Sequence, residues 1–371
     1  MVPDERILRR FARLCETPSP TGEERAVADA VARELREAGV EVAEDDAAEP
    51  ARAGSGNLIA RVPGATERWV SFFAHLDTVP HDGPIEVAFA DGVFRSRGDT
   101  ILGADNKAAV AVLVELALRA LEMPSPVGLE LVFTVAEEDG LRGAKELDVS
   151  GLRSEFGYVL DHATPIGEVI TAAPTYNRIV ADFEGVEAHS GIRPEDGRSA
   201  IAAAAAAIGA MRLGRIDEET TANVGVIAGG TATNVVPGRC RIEGEARSVD
   251  EAKVGEVTAA MVDACTWAAS EGGCDVDVDV TEVFRGYRIP GSARSLRVAR
   301  RALERAGIEP REVATGGGSD ANALIAQGFD CLLLANGTTG NHTPEEAVSA
   351  DALRTMVEVC EAVAAEAAAE S

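Results

Sequence analysis

Tyr176-Asn177-Arg178-Ile179-Val180-Ala181-Asp182-Phe183-Glu184-Gly185 decides the reading of the fold, because the chain changes its pattern there. This stretch predicts a strand over 176–185, the first element of a self-contained series. Helix 197–212, strands 222–228 and 234–247, helix 250–272 and strand 274–283 complete a ferredoxin-like β-α-β-β-α-β unit. The alanine-rich stretch 200–207 reads as a helix packed on the small sheet. Upstream, residues 4–16 and 23–38 predict amphipathic helices, and Ser19-Pro20-Thr21-Gly22-Glu23-Glu24 reads as a cap before the second. Apolar runs at 56–62, 69–76, 127–136 and 157–160 predict strands, with a helix over 106–121. Downstream, helices 292–306 and 319–327, strand 331–335 and helix 349–368 resume that alternation. The fold class is α/β: a mixed sheet sandwiched by helices over 1–174 and 284–371, interrupted by the insert at 175–283.

Composition agrees with two domains, since 371 residues exceed the size at which one core keeps growing. Apolar residues make up 46% and aromatics only 4%, so the cores are expected to be built from Ala, Val, Leu and Ile. The apolar run 200–208 is too short to span a bilayer. Met1 to Arg10 is charged and lacks a signal-peptide core, so a cytoplasmic protein is expected. Acidic residues outnumber basic ones 62 to 35, a formal charge of −27, which repels nucleic acid and anionic membranes. Such a surface reads as an adaptation for solubility or salt tolerance, with attraction of cationic substrates as the alternative. The cysteines Cys15, Cys240, Cys265, Cys274, Cys331 and Cys360 form no close pair, and buried free thiols are expected.

The chemistry-bearing residues gather at predicted strand ends. Strand 69–76 delivers His75-Leu76-Asp77, an HxD pair whose side chains share one face. One ring nitrogen of His75 can then bind a metal while Asp77 accepts from the other, which fixes the tautomer. Asp105, in Gly103-Ala104-Asp105-Asn106-Lys107, stands where a loop enters a helix; its two oxygens suit bridging two cations or capping that helix. After strand 127–136 come Glu137-Glu138-Asp139-Gly140, and acids directly after an apolar strand are costly unless something positive sits among them. Strand 157–160 runs into Asp161, and strand 331–335 leads through a glycine-bearing loop to His342. Open α/β sheets bind ligands beyond the carboxyl ends of their strands.

These motifs, in this order over nearly the whole chain, resemble the zinc aminoacylase, carboxypeptidase G and peptidase T superfamily of metallopeptidases. Gly317-Gly318-Ser319-Asp320-Ala321-Asn322 and Asn234-Val235-Val236-Pro237 resemble further motifs of that group, and the insert falls where its lid and dimerisation domain lies. The resemblance implies two zinc ions, with manganese or cobalt as alternatives, bridged by Asp105 and a water or hydroxide. His75 and Asp161 would complete one site, and Glu138 and His342 the other. Asp77 would orient His75, and Glu137 would be the general base that takes the water proton and returns it to the leaving nitrogen. His189 and Asn234 would reach the substrate from the lid, Arg285 or Arg288 would pair with a substrate carboxylate, and a homodimer through the lid is implied.

Fold and metals do not select a substrate. The Asp after the second Glu in Glu137-Glu138-Asp139, the Asp rather than Glu at 161, and Ser319-Asp320-Ala321-Asn322 resemble the peptidase-T-like branch, an aminopeptidase of short peptides. The approach to His342, Gly337-Thr338-Thr339-Gly340-Asn341, departs from peptidase T. An N-acyl amino acid deacylase or a carboxypeptidase is the enzymatic alternative. A metal-dependent small-molecule binding protein is the non-enzymatic one, against which the presence of Glu137 argues.

Overall fold

The computed structural model describes Pro3 and residues 5–370. The chain divides into two compact units, one holding residues up to Thr171, Ile289–Ala314 and Ser319 onward, the other Ala172–Arg288 and Thr315–Gly318. The crossings thus lie outside the expected 174/175 and 283/284. An antiparallel ladder of Ala172 and Ala173 with Arg288 and Tyr287 carries the smaller unit past both positions. Thr315–Gly318 belongs with it: the Thr315 amide donates to the Ala172 carbonyl, and Gly318 lies so close to the Phe284 ring that a Cβ would come within 2.2 Å.

The larger unit is built on a mixed sheet whose strands run in the spatial order Glu41–Glu44, Leu58–Val62, Gly128–Thr134, Trp69–His75, Phe156–His162, Asp330–Ala335, Glu168–Ala173. The four from Gly128–Thr134 to Asp330–Ala335 are mutually parallel. Their burial explains their sequence: every residue of Gly128–Thr134 is buried, and so is all of Trp69–His75 after Trp69. Parallel strands covered on both faces read as unbroken apolar runs. Helix Ala104–Glu122 is likewise buried all round as far as Ala117, with Val110, Ala111, Val112 and Leu113 each inaccessible. Because the strands are parallel, His75, Thr134, His162 and Ala335 all end on the same edge, and the loops that follow them supply the site.

Several elements differ from expectation for visible reasons. Helix Arg6–Cys15 begins after residue 4, which lies outside the described residues. Helix Arg25–Glu37 has no side-chain cap, so residues 19–24 do not cap it; their side chains turn elsewhere. A four-stranded sheet of Val87–Ala90, Val93–Ser96, Ala347–Ser349 and Thr338–Thr339 is additional. Its first hairpin turns at Asp91-Gly92, both at positive φ (52° and 79°), as a tight hairpin requires.

The smaller unit is an antiparallel sheet in the order Gly214–Arg215, Thr220–Gly229, Arg239–Ser248, Thr175–Glu184, Asp275–Phe284, with helices Ala200–Ala210 and Glu251–Gly272 packed on it. Small side chains let the helices approach: Ala203, Ala204 and Ala207 meet Cys265, Ala268 and Ala269. The single strand expected over 234–247 is two, Val235–Val236 and Arg239–Ser248, because Pro237 cannot donate to a ladder. All six cysteines are free thiols.

Candidate metal centre

His75 ends its strand 2% exposed, its Nδ1 3.0 Å from the Asp77 carbonyl and 3.4 Å from the Asp77 carboxylate. A carbonyl only accepts, so Nδ1 carries a proton and Nε2 is the ring atom left to face a cation. That Nε2 faces Asp105 Oδ1 at 3.2 Å and Asp161 Oδ1 at 3.4 Å. The other oxygen of Asp105, Oδ2, lies 3.1 Å from His342 Nε2, which in turn lies 3.0 Å from Glu138 Oε1. One carboxylate therefore faces an imidazole with each of its oxygens. His75, Asp105 and Asp161 form one close set of donor atoms, Asp105, Glu138 and His342 a second, and His75, Glu137 and Glu138 a third that overlaps both.

The backbone is fixed with equal care. Asp77 is fully buried, and its Oδ1 accepts the Glu137 amide at 3.0 Å. Its Oδ2 accepts the Glu138 amide at 3.1 Å and the Thr21 hydroxyl at 2.8 Å. Asp77 thus ties the histidine strand to the turn bearing both glutamates. Glu346, absent from the sequence reading, accepts the amides of Leu102, Gly103 and Asp105 at 2.8, 2.7 and 2.8 Å and so aims the Asp105 segment. Asn341 donates to Asp105 Oδ2 at 2.9 Å. Asp320, 1% exposed, accepts from Thr134. Nothing in spacing or periodicity distinguishes Glu346 or Asn341 from polar loop residues; only the paired Ser-Asp of the 319–320 motif hinted at Asp320.

The electrostatics of this cluster show a deficit of positive charge. Burial pushes Glu137 and Asp161 up, with neighbouring carboxylates adding to it, and burial raises Asp320 to about 6. Asp105 is held well below the usual carboxylate range because hydrogen bonds to His342 and His75 outweigh its burial. The hydrogen bonds to Asp105 and Glu138 lift His342 to about 10. The surrounding carboxylates thus favour positive charge on both imidazoles, in spite of the burial of His75, and a bound cation would supply such charge in their place.

The remaining expected residues lie in the smaller unit. His189 is exposed, its short strand Ala188–His189 paired with Val235–Val236, and the Ser190 amide donates to the Asn234 carbonyl at 3.0 Å. His189 and Asn234 are therefore neighbours there. Arg285 is paired with Glu251 at 2.7 Å and Arg288 with Glu219 at 2.8 Å.

The chain that carries these residues is similar to known peptidases. Residues 57–161, which carry His75 through Asp161, match the model of peptidase family M28, and residues 176–273 match that of the M20 peptidase dimerisation domain. The uncharacterized protein YqjE of Bacillus subtilis (strain 168) is 37% identical over 372 residues, covering 99% of this chain and 100% of that one. The crystal structure of aminopeptidase PepT from Bacillus cereus ATCC 10987 is 37% identical, with a TM-score of 0.88 and full coverage of both chains. A tripeptidase from Staphylococcus aureus Mu50 is 32% identical, with a TM-score of 0.93 and full coverage. This chain belongs to the peptidase-T-like M20 metallopeptidases.

An M20 peptidase requires a divalent metal, and the residues present here fit one. Imidazole nitrogens and carboxylate oxygens are the donors that zinc, manganese and cobalt accept. Two three-residue sets share Asp105, and a cation in each would supply the charge the buried acids lack. The M20 dimerisation match falls within the insert. Among the described residues, no helix is long and apolar enough to cross a membrane.

Proposed function

We propose that this M20 peptidase is a di-zinc aminopeptidase of short peptides. The observation that carries the reading is the Asp105 carboxylate, which faces His75 with one oxygen and His342 with the other. His75, Asp105 and Asp161 would hold one cation, and Asp105, Glu138 and His342 its partner. When bound, the pair supplies Lewis acidity that lowers the pKa of water from 15.7 to about 7 and polarises the scissile carbonyl. Glu137 Oε takes the proton from the attacking water and gives it to the leaving nitrogen. Its burial pushes the carboxyl above the ordinary carboxylate range, which makes it a stronger base than an exposed glutamate. Asp77 holds the His75 ring and, through two amides, the aim of Glu137 and Glu138. The Asp161 side chain beside His75 is 8% exposed and that of His342 is 49% exposed, so a substrate would approach from the His342 side. His189, Asn234 and Arg285 are the proposed substrate contacts of the smaller unit. The unit would also join two copies into a homodimer.

Full-length similarity to an aminopeptidase and a tripeptidase supports a free N-terminus as the recognised feature. The six unpaired cysteines suit the reducing cytoplasm. The test is hydrolysis by zinc-loaded protein of di- and tripeptides, their N-acetylated forms and N-acyl amino acids. Cleavage confined to free N-termini, abolished by chelation, is expected. Glu137→Gln should lower kcat by about 10²–10⁴-fold while keeping both metals. Cleavage of acylated compounds alone would make it a deacylase on the same centre, release of C-terminal residues from blocked peptides a carboxypeptidase. Metal binding without turnover on any substrate would leave a binding protein.

A further inference from the structure

The segment Ser19-Pro20-Thr21-Gly22-Glu23-Glu24 does not cap the helix it precedes, and its side chains reach three of the loops that carry the centre. Ser19 Oγ donates to the Leu76 carbonyl at 2.8 Å and accepts from the buried Lys107 ammonium at 2.6 Å. The Thr21 hydroxyl donates to Asp77 at 2.8 Å, and residues 20 and 78 form a short parallel bridge. Glu24 is completely buried. Its Oε1 accepts the amides of Gly22 at 2.8 Å and Ala136 at 3.2 Å, and its Oε2 accepts that of Gly54 at 2.6 Å. Gly54 approaches so closely that a Cβ would come within 2.7 Å of the Glu24 amide nitrogen, so only glycine permits the contact.

Ala136 is the pivot. It sits at φ 49°, a left-handed conformation rare for a residue with a side chain, and directly precedes Glu137. Three consecutive amides, of residues 136, 137 and 138, end on two buried carboxylates: Glu24 takes the first, Asp77 the other two. Asp77 fixes where the turn lies; Glu24 fixes the rotation with which the chain enters it. We propose that Glu24 is a positioning residue that holds Ala136 in its left-handed conformation and so sets the direction of Glu137 and Glu138, with Thr21 as its auxiliary through Asp77. This rests on the reading of Glu137 and Glu138 as base and ligand.

Glu24→Gln tests it, because the amide keeps one acceptor but sets an N–H₂ group against a backbone N–H. Partners that orient ligands typically contribute about 10–100-fold to metal affinity or activity. A loss of that size in kcat is expected, with KM changed less than about twofold. The affinity of the weaker of two zinc equivalents, read by competition with a chromophoric chelator, should fall in parallel. Glu115→Gln, at a carboxylate 4% exposed in the same unit that bonds to Arg6 and Arg10 rather than to the turn, is the control for lost stability alone. Thr21→Val removes only the hydroxyl that donates to Asp77 at 2.8 Å and more weakly to the Thr78 carbonyl at 3.3 Å, and it stands in if Glu24→Gln does not fold; it should lower kcat several-fold. Wild-type kcat and zinc affinity in folded Glu24→Gln, losses no greater than those of Glu115→Gln, or an unaffected Thr21→Val where Glu24→Gln does not fold would overturn the inference. Wild-type protein that binds no zinc would instead overturn the di-zinc reading.

Discussion

A single carboxylate at the N-terminus of a buried helix is ambiguous on its own, and Asp105 acquires meaning only from what faces each of its oxygens. The residues proposed to hold metal or move protons were legible because their types are chemically restricted and most of them follow an apolar strand. The residues that aim them were not. Glu24, Asn341 and Glu346 act through hydrogen bonds, nearly all of them to groups distant in sequence, and spacing carries no trace of that. Glu115 shows the same at a structural site. Arg6 grips it with two nitrogens at 2.7 and 3.0 Å, and Arg10 adds a third at 2.8 Å, joining helix Arg6–Cys15 to helix Ala104–Glu122. Burial pushes its carboxyl up, but these bonds win and hold it at about 2. A depressed carboxyl stabilises the fold above its unfolded pKa and stops doing so as pH falls through the folded value. Glu115→Gln should therefore unfold about 2–3 kcal/mol more easily near pH 7. In urea melts with chelator present, that difference should persist down to about pH 5 and vanish towards pH 2. A difference independent of pH would mean packing, not charge, is what the substitution removes.

Elements were legible where their pattern is periodic. The alternation Asp275-Val276-Asp277-Val278-Asp279-Val280 marks the edge strand Asp275–Phe284. The buried strands and helix Ala104–Glu122 announce themselves as apolar runs. Ends were less visible: the strand expected over 127–136 stops at Thr134, since Ala136 must already turn. The hairpin over Val87–Ala90 and Val93–Ser96 is too short for alternation, and only Asp91-Gly92 marks it. Helix Glu251–Gly272 begins at Asp250, whose side chain accepts the amides of Ala252 at 2.9 Å and Lys253 at 3.2 Å. Asp250→Ala should lower stability by about 1 kcal/mol in denaturant titrations, and Asp250→Asn, also a good cap, by only a few tenths. Equal losses would place the effect in charge at the helix start rather than in the cap.

For the whole molecule, a formal charge of −27 acts together with a buried acidic centre. Self-repulsion of that kind is screened by salt over a length of about 10 Å at 0.1 M. Metal-free protein should therefore gain melting temperature between about 20 mM and 0.5 M sodium chloride, and gain more than zinc-loaded protein does. Zinc at about a hundred times its Kd should add about 2.7 kcal/mol to the unfolding free energy by mass action. Thermal melts with and without chelator check both; identical curves would mean that no cation belongs among these residues.

The strand order of the larger sheet also governs the birth of the protein. Asp330–Ala335 lies between Phe156–His162 and Glu168–Ala173, yet every strand of the smaller sheet, through Phe284, is translated before it. At about 5–20 residues per second, the nascent chain spends many seconds with a gap one strand wide in the middle of its larger sheet. Both margins of that gap are open edges, the feature that invites pairing with other chains. Messages truncated before this strand would yield sticky fragments, without His342, for the cell's chaperones and proteases rather than weak enzymes.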